Sequence, residues 1–365
     1  MSDAGSRRDH RQALITLGSS AAAVVLALVI AGILLAITGK DPFAAYSKMF
    51  SSGFQKDKLL EMVQRATPLM IAAVAVAIGF KMNLFNIGVE GQFLMGMFCA
   101  AVAGAAVHLP APIHVMFCLA VAMAAGAAWA GIAALLKVKK GVNEVIATIM
   151  LNAIALSVID YLFNEFFRHE TPGNLDVKTK PLPRTAWVPD LVAHQLTSFV
   201  FISLLVVFAF WLIVYKSRFG FRLRASGSNA VAARTAGISS DRMIITAMLM
   251  SGAVAGLAGL PSLLGDTHAY GPTRPDGYGF NGIAVALLGR NNPVGIIGAA
   301  LLWGFLDAAA GPLQIAKIPQ SIVLVIKAII LLTVVIVNEV VSRRMARRTA
   351  DRTAAQLAIP TVVAA

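Results

Sequence analysis

Long apolar runs alternate with short polar stretches along almost the whole chain. A helix needs roughly 20 predominantly apolar residues to cross a bilayer. Ten runs have this character, at approximately 14–37, 59–80, 88–107, 111–136, 144–166, 197–216, 242–264, 279–290, 293–310 and 318–338. The run at 279–290 is too short to cross a bilayer of about 30 Å when each residue adds about 1.5 Å. The pattern therefore predicts an all-α, polytopic integral membrane helix bundle of about ten transmembrane segments, with 279–290 as a short or re-entrant one.

The polar stretches divide the chain into a transmembrane domain and two tails. Residues 1–13 form a polar, basic N-terminal tail, and residues 343–365 form a basic tail that we expect to be disordered. The transmembrane domain, 14–342, lies between them. Within it, 167–196 is rich in proline and predicts an irregular extracytoplasmic loop, whereas 217–240 is basic and predicts a cytoplasmic loop.

The composition places the chain in a membrane. Hydrophobic residues make up 58% of the chain and charged residues only 13%, against about 25% charged residues in a soluble domain. The net charge of +13 does not indicate nucleic-acid binding, because the Lys and Arg residues lie mainly between apolar runs. A cytoplasmic N-terminus puts most of the 31 Lys and Arg residues on the inside, as the positive-inside rule requires. Both termini are therefore predicted to be cytoplasmic.

The N-terminal region adds two details to this topology. The run 14–37 is longer than the apolar part of a signal peptide, so it predicts an uncleaved first helix. The outer loop 38–58 carries four lysines, Lys40, Lys48, Lys56 and Lys58, which weaken the charge bias. It also contains Pro42, a residue type suited to the first turn of a helix, and so predicts a short surface helix.

The chain has no signature of a catalytic domain. It lacks the glycine-rich phosphate-binding loop, the H-E-x-x-H zinc motif and the G-x-S-x-G motif of serine hydrolases. Its six His residues show no paired spacing of metal ligands. We therefore expect a protein that is not an enzyme and holds no cofactor of its own, so that any ATP hydrolysis needs another chain.

The basic cytoplasmic loop contains the clearest local helix signal. Residues 229–236 are rich in strong helix formers, Gly237 is suited to the end of a helix, and Ser228 or Asn229 can cap its start. A short helix here could dock a cytoplasmic motor or could rest on lipid headgroups, and the residues alone favour neither. The candidate coupling residues are Ser228, Asn229, Ala232, Ala233, Arg234 and Gly237.

Polar side chains interrupt the apolar pattern in the membrane region. Asn86 and Glu90 lie at the start of one apolar run, and Asn152 lies inside another. Such groups are costly in a membrane and usually face the protein interior. They could line a pathway together with the aromatic Phe93, or they could cap helices and form hydrogen bonds between them. The pathway candidates are Asn86, Glu90, Phe93 and Asn152.

Small residues recur at Gly252, Gly256 and Gly259. This spacing favours close packing of two helices, and a helix broken at a transport site is the alternative. Three ionisable residues in or near apolar runs, Asp160, Asp307 and Lys327, are the candidates for an ion relay. We judge them to be peripheral, so ion-coupled transport is the weaker interpretation.

Taken together, these motifs resemble one family of transport proteins. The family comprises the permease subunits of bacterial ABC importers of the simple-sugar and nucleoside type, which are related to ribose, galactose and branched-chain amino acid permeases. The stretches that carry the resemblance occur in the family in the same order and are 83–96, 141–152, 226–239, 251–259 and 287–298. The resemblance spans about 59–340, most of the chain.

The resemblance implies a permease subunit that forms half of a translocation pathway in the bacterial cell membrane, surrounded by lipid. It implies three protein partners: a cytoplasmic ABC ATPase with tandem domains that holds ATP and magnesium, a second permease subunit of different sequence, and an extracytoplasmic substrate-binding lipoprotein. The loop 226–239 would be the coupling helix that meets the ATPase. The stretch Asn86–Gly91 and the long first outer loop favour a nucleoside importer, with a ribose- or galactose-like sugar permease as the alternative.

Overall fold

A computed structural model describes residues 22, 24–37, 39–169, 177–193, 195–315 and 321–357 of the chain. This part is helical except for loops and one small antiparallel pair of strands, β1 (Asp190–Val192) and β2 (Leu196–Thr197). The helices are α1 (Val24–Ile37), α2 (Pro42–Gly53), α3 (Lys56–Lys81), α4 (Val89–Ala106), α5 (Ala111–Lys140), α6 (Glu144–Leu162), α7 (Phe199–Trp211), α8 (Arg218–Ser228), α9 (Ala230–Thr235), α10 (Ser240–Gly256), α11 (Leu260–Ser262), α12 (Tyr278–Leu288), α13 (Pro293–Ile315) and α14 (Ser321–Leu357).

Within the described residues, each of the ten apolar runs falls on a helix, which confirms the predicted all-α, polytopic membrane protein. Within the described residues, eight helices are long and apolar enough to cross a membrane by length and composition. Two further apolar helices, α1 and α12, are shorter. The 11 residues of α12 extend only roughly 16 Å at about 1.5 Å per residue, so the run at 279–290 is as short in the structure as its sequence indicates.

The C-terminal tail differs from its prediction. Helix α14 runs without a break to Leu357, so the expectation of a disordered tail is wrong for residues 343–357. This segment is rich in Ala and Arg, which have high helix propensity and extend the preceding membrane helix. Residues 358–365 and the N-terminal tail 1–13 lie outside the described residues.

The chain divides into two compact units, one from Ser52 to Ala309 and one made from both ends of the chain. In the unit made from the ends, α2 begins at Pro42, which confirms the predicted short helix, and its place at the surface stays a prediction. The Asp41 carboxylate caps it by accepting a hydrogen bond of 2.9 Å from the Phe43 backbone N–H.

In the unit 52–309, α5 and α10 pack with their backbones in contact. A Cβ atom at Gly256 would clash with the carbonyl oxygen of Ala122 on α5, and one at Gly252 would clash with the backbone of Gly126. Gly259 lies against the Met97 side chain on α4. The three glycines singled out in the sequence therefore lie at helix contacts, where any larger residue would separate the helices.

The part of this unit that is predicted to face outside is irregular. After α10 the chain continues through a 3-10 turn (Leu257–Gly259), α11 and a π-helical turn (Leu263–Thr267). His268 then adopts a left-handed conformation, with φ of 52°. The loop after α6 runs beside this segment, since the Val188 N–H donates to the Leu264 carbonyl at 2.9 Å. The predicted extracytoplasmic loop 167–196 is thus irregular where it is described, and it lies against the segment that precedes α12.

Candidate functional site

A polar cluster made of Asn86, Gln92, Asn152 and Ser251 holds the start of α4. The side-chain amides of Asn86 and Gln92 form two reciprocal hydrogen bonds of 2.9 Å. The Asn86 amide also donates to the Ser251 hydroxyl at 2.8 Å. The Ser251 hydroxyl in turn donates to the Ala75 carbonyl on α3 at 2.6 Å. The cluster therefore joins the turn before α4 to helices α3 and α10.

Asn152 connects the same region to α6. Its amide oxygen accepts a hydrogen bond of 2.9 Å from the Gly91 N–H, and its amide nitrogen donates one of 2.9 Å to the Ile87 carbonyl. Asn86 and Asn152 are both buried. Both side chains are thus engaged within the subunit, and their assignment to a translocation pathway stays a prediction.

Glu90 binds the start of the short helix α12. Its two carboxylate oxygens accept hydrogen bonds of 2.6 Å from the Gly277 N–H and 2.7 Å from the Gly279 N–H. A carboxylate is favourable at this position because helix N-termini carry a partial positive charge and unpaired N–H groups. A Cβ atom at Gly279 would clash with the Glu90 backbone. The close approach of α4 and α12 therefore depends on a glycine at this position.

Phe93, one turn after Glu90, packs against Tyr278. The two ring centroids are 5.7 Å apart and the planes are tilted by 39°. Phe93 is fully buried. Helix α4 therefore contacts the start of α12 in two ways: Glu90 binds the N–H groups of the residues on either side of Tyr278, and Phe93 packs against the Tyr278 ring.

Tyr278 lines an outer cavity of ≈ 460 Å³. Its polar lining comes mainly from the first turns of α3, which contribute Glu61, Gln64 and Arg65, and from Asp266 of the π-helical turn. This volume lies in the usual range of about 300–1,000 Å³ for sites that bind small molecules. We call this space the outer cavity, because the predicted topology places these ends of the helices on the extracytoplasmic side.

The charges around the outer cavity are only partly paired with each other. Glu61 forms ion pairs of 2.6 Å with both Lys58 and Arg65. Gln64 accepts hydrogen bonds from the Thr197 N–H and hydroxyl at 3.1 and 3.2 Å, which fixes the loop that ends in β2. Asp266 is exposed. Sequence reasoning missed these residues, although Glu61, Gln64 and Arg65 follow the i, i+3, i+4 spacing of one helix face.

The loop segment beside the outer cavity contains a stacked ring pair. The His268 imidazole lies parallel to the Trp187 indole at a centroid distance of 3.7 Å. Burial lowers the pKa of His268 below its ordinary value, against the smaller opposing effect of the Asp190 charge. The neutral imidazole is therefore the form that fits this stack.

The second candidate region is the predicted cytoplasmic loop, which folds into two helices rather than one. Asn229 caps α9 by accepting hydrogen bonds of 3.0 Å from the N–H groups of Val231 and Ala232. Ser228 instead bonds the Arg224 carbonyl at the end of α8. Helix α8, capped by the Ser217 hydroxyl, is the element that sequence reasoning missed. The serine at its start was the available signal.

Helix α9 ends at the predicted glycine. Gly237 has a φ of 77°, the Ile238 N–H donates to the Ala233 carbonyl and the Gly237 N–H donates to the Arg234 carbonyl. These two bonds form a Schellman motif. Ala233 is only 4% exposed and anchors the helix, whereas Val231 is 73% exposed. The helix therefore presents an apolar side chain away from the rest of the subunit.

Helix α8 contacts the end of the membrane helix α3. A Cβ atom at Gly227 would clash with the backbone of Lys81 and Met82, which end α3. The centroid of the Tyr215 ring lies 5.2 Å from the Lys81 ammonium and 5.4 Å from the Arg224 guanidinium. Movement of α8 would therefore reach the end of α3 at Lys81, and the opposite end of α3 lines the outer cavity.

Comparisons with known proteins give a consistent result. A family model described as branched-chain amino acid transport system / permease component matches residues 58–335. The guanosine ABC transporter permease protein NupP of Bacillus subtilis (strain 168) is 37% identical over 322 residues, covering 86% of this chain and 91% of the relative. The nucleoside ABC transporter permease protein NupB of Lactococcus lactis subsp. cremoris is 31% identical, covering 85% and 88%.

One further relative has a different named substrate. The glucose ABC transporter permease protein TsgB13 of Haloferax volcanii is 34% identical over 333 residues, covering 88% of this chain and 87% of the relative. No solved structure matches the chain.

Proposed function

The chain belongs to the family of permease components of branched-chain amino acid transport systems, and we propose that it forms half of the translocation pathway of an ABC importer that takes up nucleosides. It is a transport component rather than an enzyme. The substrate proposal is supported by near full-length similarity to permeases named for guanosine and for nucleosides. The similarity to a glucose permease makes sugars the second candidate.

The proposed transporter has four kinds of component. A separate cytoplasmic ATPase with tandem domains holds ATP and magnesium, a second permease of different sequence completes the pathway, and a lipoprotein outside the bacterial membrane delivers the substrate. Both termini of the present chain face the cytoplasm. The permease itself binds substrate weakly, because capture belongs to the lipoprotein.

The observation that supports coupling to an ATPase is the exposed apolar face of α9. Helix α9 is capped at both ends, is anchored by the buried Ala233 and exposes Val231, an arrangement that supports docking of a partner. Closure of the ATPase domains would push α9, and the contact of Gly227 with the end of α3 would carry that movement into the membrane region. The substrate path would then open alternately to the two sides.

The test is transport by the complete complex in lipid vesicles. Val231→Asp places a charge on the exposed face of α9, so we expect ATP-driven guanosine uptake to fall at least about tenfold, equal to about 1.4 kcal/mol, while the subunit still folds. Val192→Asp, at a partly exposed valine of β1, is the matched control. Undiminished uptake in Val231→Asp would contradict the docking role. Stimulation of ATP hydrolysis by glucose or ribose, but by no nucleoside, would contradict the proposed substrate.

A further inference from the structure

The charge and shape of the outer cavity point to a ligand class. The charged groups that line it comprise three carboxylates, Asp57, Glu61 and Asp266, and one guanidinium, Arg65. Arg65 is held by Glu61 at 2.6 Å. The lining therefore carries more negative than positive charge, and its carboxylates can only accept hydrogen bonds when they are ionised.

The cavity also has a fixed aromatic wall. Glu90 accepts hydrogen bonds from the backbone N–H groups of Gly277 and Gly279, which flank Tyr278. Phe93 packs against the Tyr278 ring. An aromatic residue and carboxylates in one lining suit a flat or ring-shaped solute that carries O–H and N–H donors. They do not suit an anion, which the carboxylates would repel in a space partly shielded from water.

We propose that the outer cavity is a contact site of the translocation pathway for neutral solutes rich in O–H and N–H groups, and that it excludes their phosphorylated forms. Tyr278 forms its aromatic wall, and Glu90 and Phe93 are positioning residues that act through Tyr278. The inference rests on the proposed transport function but names residues and a ligand class that the family assignment does not supply. It also gives Glu90 and Phe93 an indirect role in the pathway in place of direct contact with substrate.

The first measurement is the reactivity of a cysteine placed in the cavity of the assembled transporter. Ser262 lines the cavity, so Ser262→Cys is made in a background in which Cys99 and Cys118 are replaced. A cationic and an anionic methanethiosulfonate reagent are compared, and Ser51→Cys on the outer helix α2 serves as the matched control. We expect the ratio of cationic to anionic labelling rates to be about tenfold higher at Ser262→Cys than at the control, a factor equal to about 1.4 kcal/mol. Asp266→Asn should lower this ratio severalfold.

The second measurement is protection by solutes at millimolar concentration. Inosine and glucose are the neutral probes, and inosine 5′-monophosphate is the charged match for inosine. We expect at least one neutral probe to slow labelling of Ser262→Cys, with no effect at Ser51→Cys and no protection by the monophosphate. Glu90→Gln should weaken protection by inosine without changing the ratio of reagent rates, because the charge near Ser262 is unaltered. General unfolding would change both the protection by inosine and the ratio of reagent rates.

The outcomes separate this inference from the proposed function. Equal protection by inosine and its monophosphate, or protection by no solute in a transporter that still imports guanosine, would overturn the inference and leave the function intact. Protection by glucose alone would support the cavity and contradict the nucleoside substrate. If Ser262→Cys does not assemble, Gln195→Cys provides a second position in the same lining, with the same expected results.

Discussion

The polar cluster and the outer cavity are two groups of polar residues in one membrane protein, and they differ in whether their hydrogen-bond partners lie within the chain. In the polar cluster, Asn86 and Asn152 bond to side chains and backbone groups of the same subunit. In the outer cavity, Asp266 and Tyr278 border an open space of ≈ 460 Å³. A polar residue in a membrane is thus a pathway candidate when it borders space, and a structural element when its hydrogen bonds are complete within the chain.

Glu90 and Gly279 connect the two regions. The first turn of α4, which the polar cluster holds in place, touches the start of α12, which forms one wall of the outer cavity. The comparison therefore predicts that changes in the cluster act on stability, that changes in the cavity act on transport, and that changes at the connection act on both.

The largest effect is expected in the polar cluster. Asn152→Leu keeps the approximate volume but leaves the Gly91 N–H and the Ile87 carbonyl without their partner. Two such losses at about 1–3 kcal/mol each should lower the free energy of unfolding by about 2–6 kcal/mol. The measurement is the thermal transition and yield of folded protein in detergent. Ser157→Ala, on the exposed face of α6, should change neither, and a stable Asn152→Leu that fails only in transport would reverse the comparison.

The second-largest effect is expected at the contact between Glu90 and Gly279. Gly279→Ala introduces a Cβ atom that would clash with the Glu90 backbone, and such overpacking costs about 1–3 kcal/mol. We expect both a lower thermal transition and slower uptake, because α12 and Tyr278 must shift away from α4. Gly298→Ala is the control, since a Cβ atom there meets nothing within 4 Å. Equal behaviour of the two variants would show that the two regions are independent.

The smallest effect lies in the outer cavity. Tyr278→Ala removes a ring that can stack on a flat solute, an interaction worth about 1–3 kcal/mol for a nucleobase. We expect the KM for uptake to rise about tenfold, with Tyr278→Phe close to the unchanged protein because it keeps the ring. An unchanged KM in Tyr278→Ala, or an equal loss in both variants, would argue against an aromatic wall. The measurement is the dependence of the uptake rate on the concentration of loaded binding protein.

Much of the fold could be predicted from local pattern. Apolar runs located every membrane helix in the described residues, and the cap at Asn229 and the glycine at 237 follow from rules that act within a few residues. Helix α8 was missed because its signal, a serine followed by basic residues, resembles an ordinary cytoplasmic loop. The extension of α14 was missed because basic composition at a chain end was interpreted as disorder, whereas Ala and Arg favour helix.

Local sequence pattern is sufficient to predict that this protein spans a membrane, where its helices lie and which polar stretches interrupt them, because hydrophobic length and capping are local properties. The contacts of those polar residues become visible only in the folded chain. Asn152 meets Gly91, 61 residues away, and Glu90 meets Gly279, 189 residues away. Whether a polar side chain has hydrogen-bond partners within the chain or borders a cavity depends on such distant residues. The spacing of residues along one helix does not predict which distant residues these are.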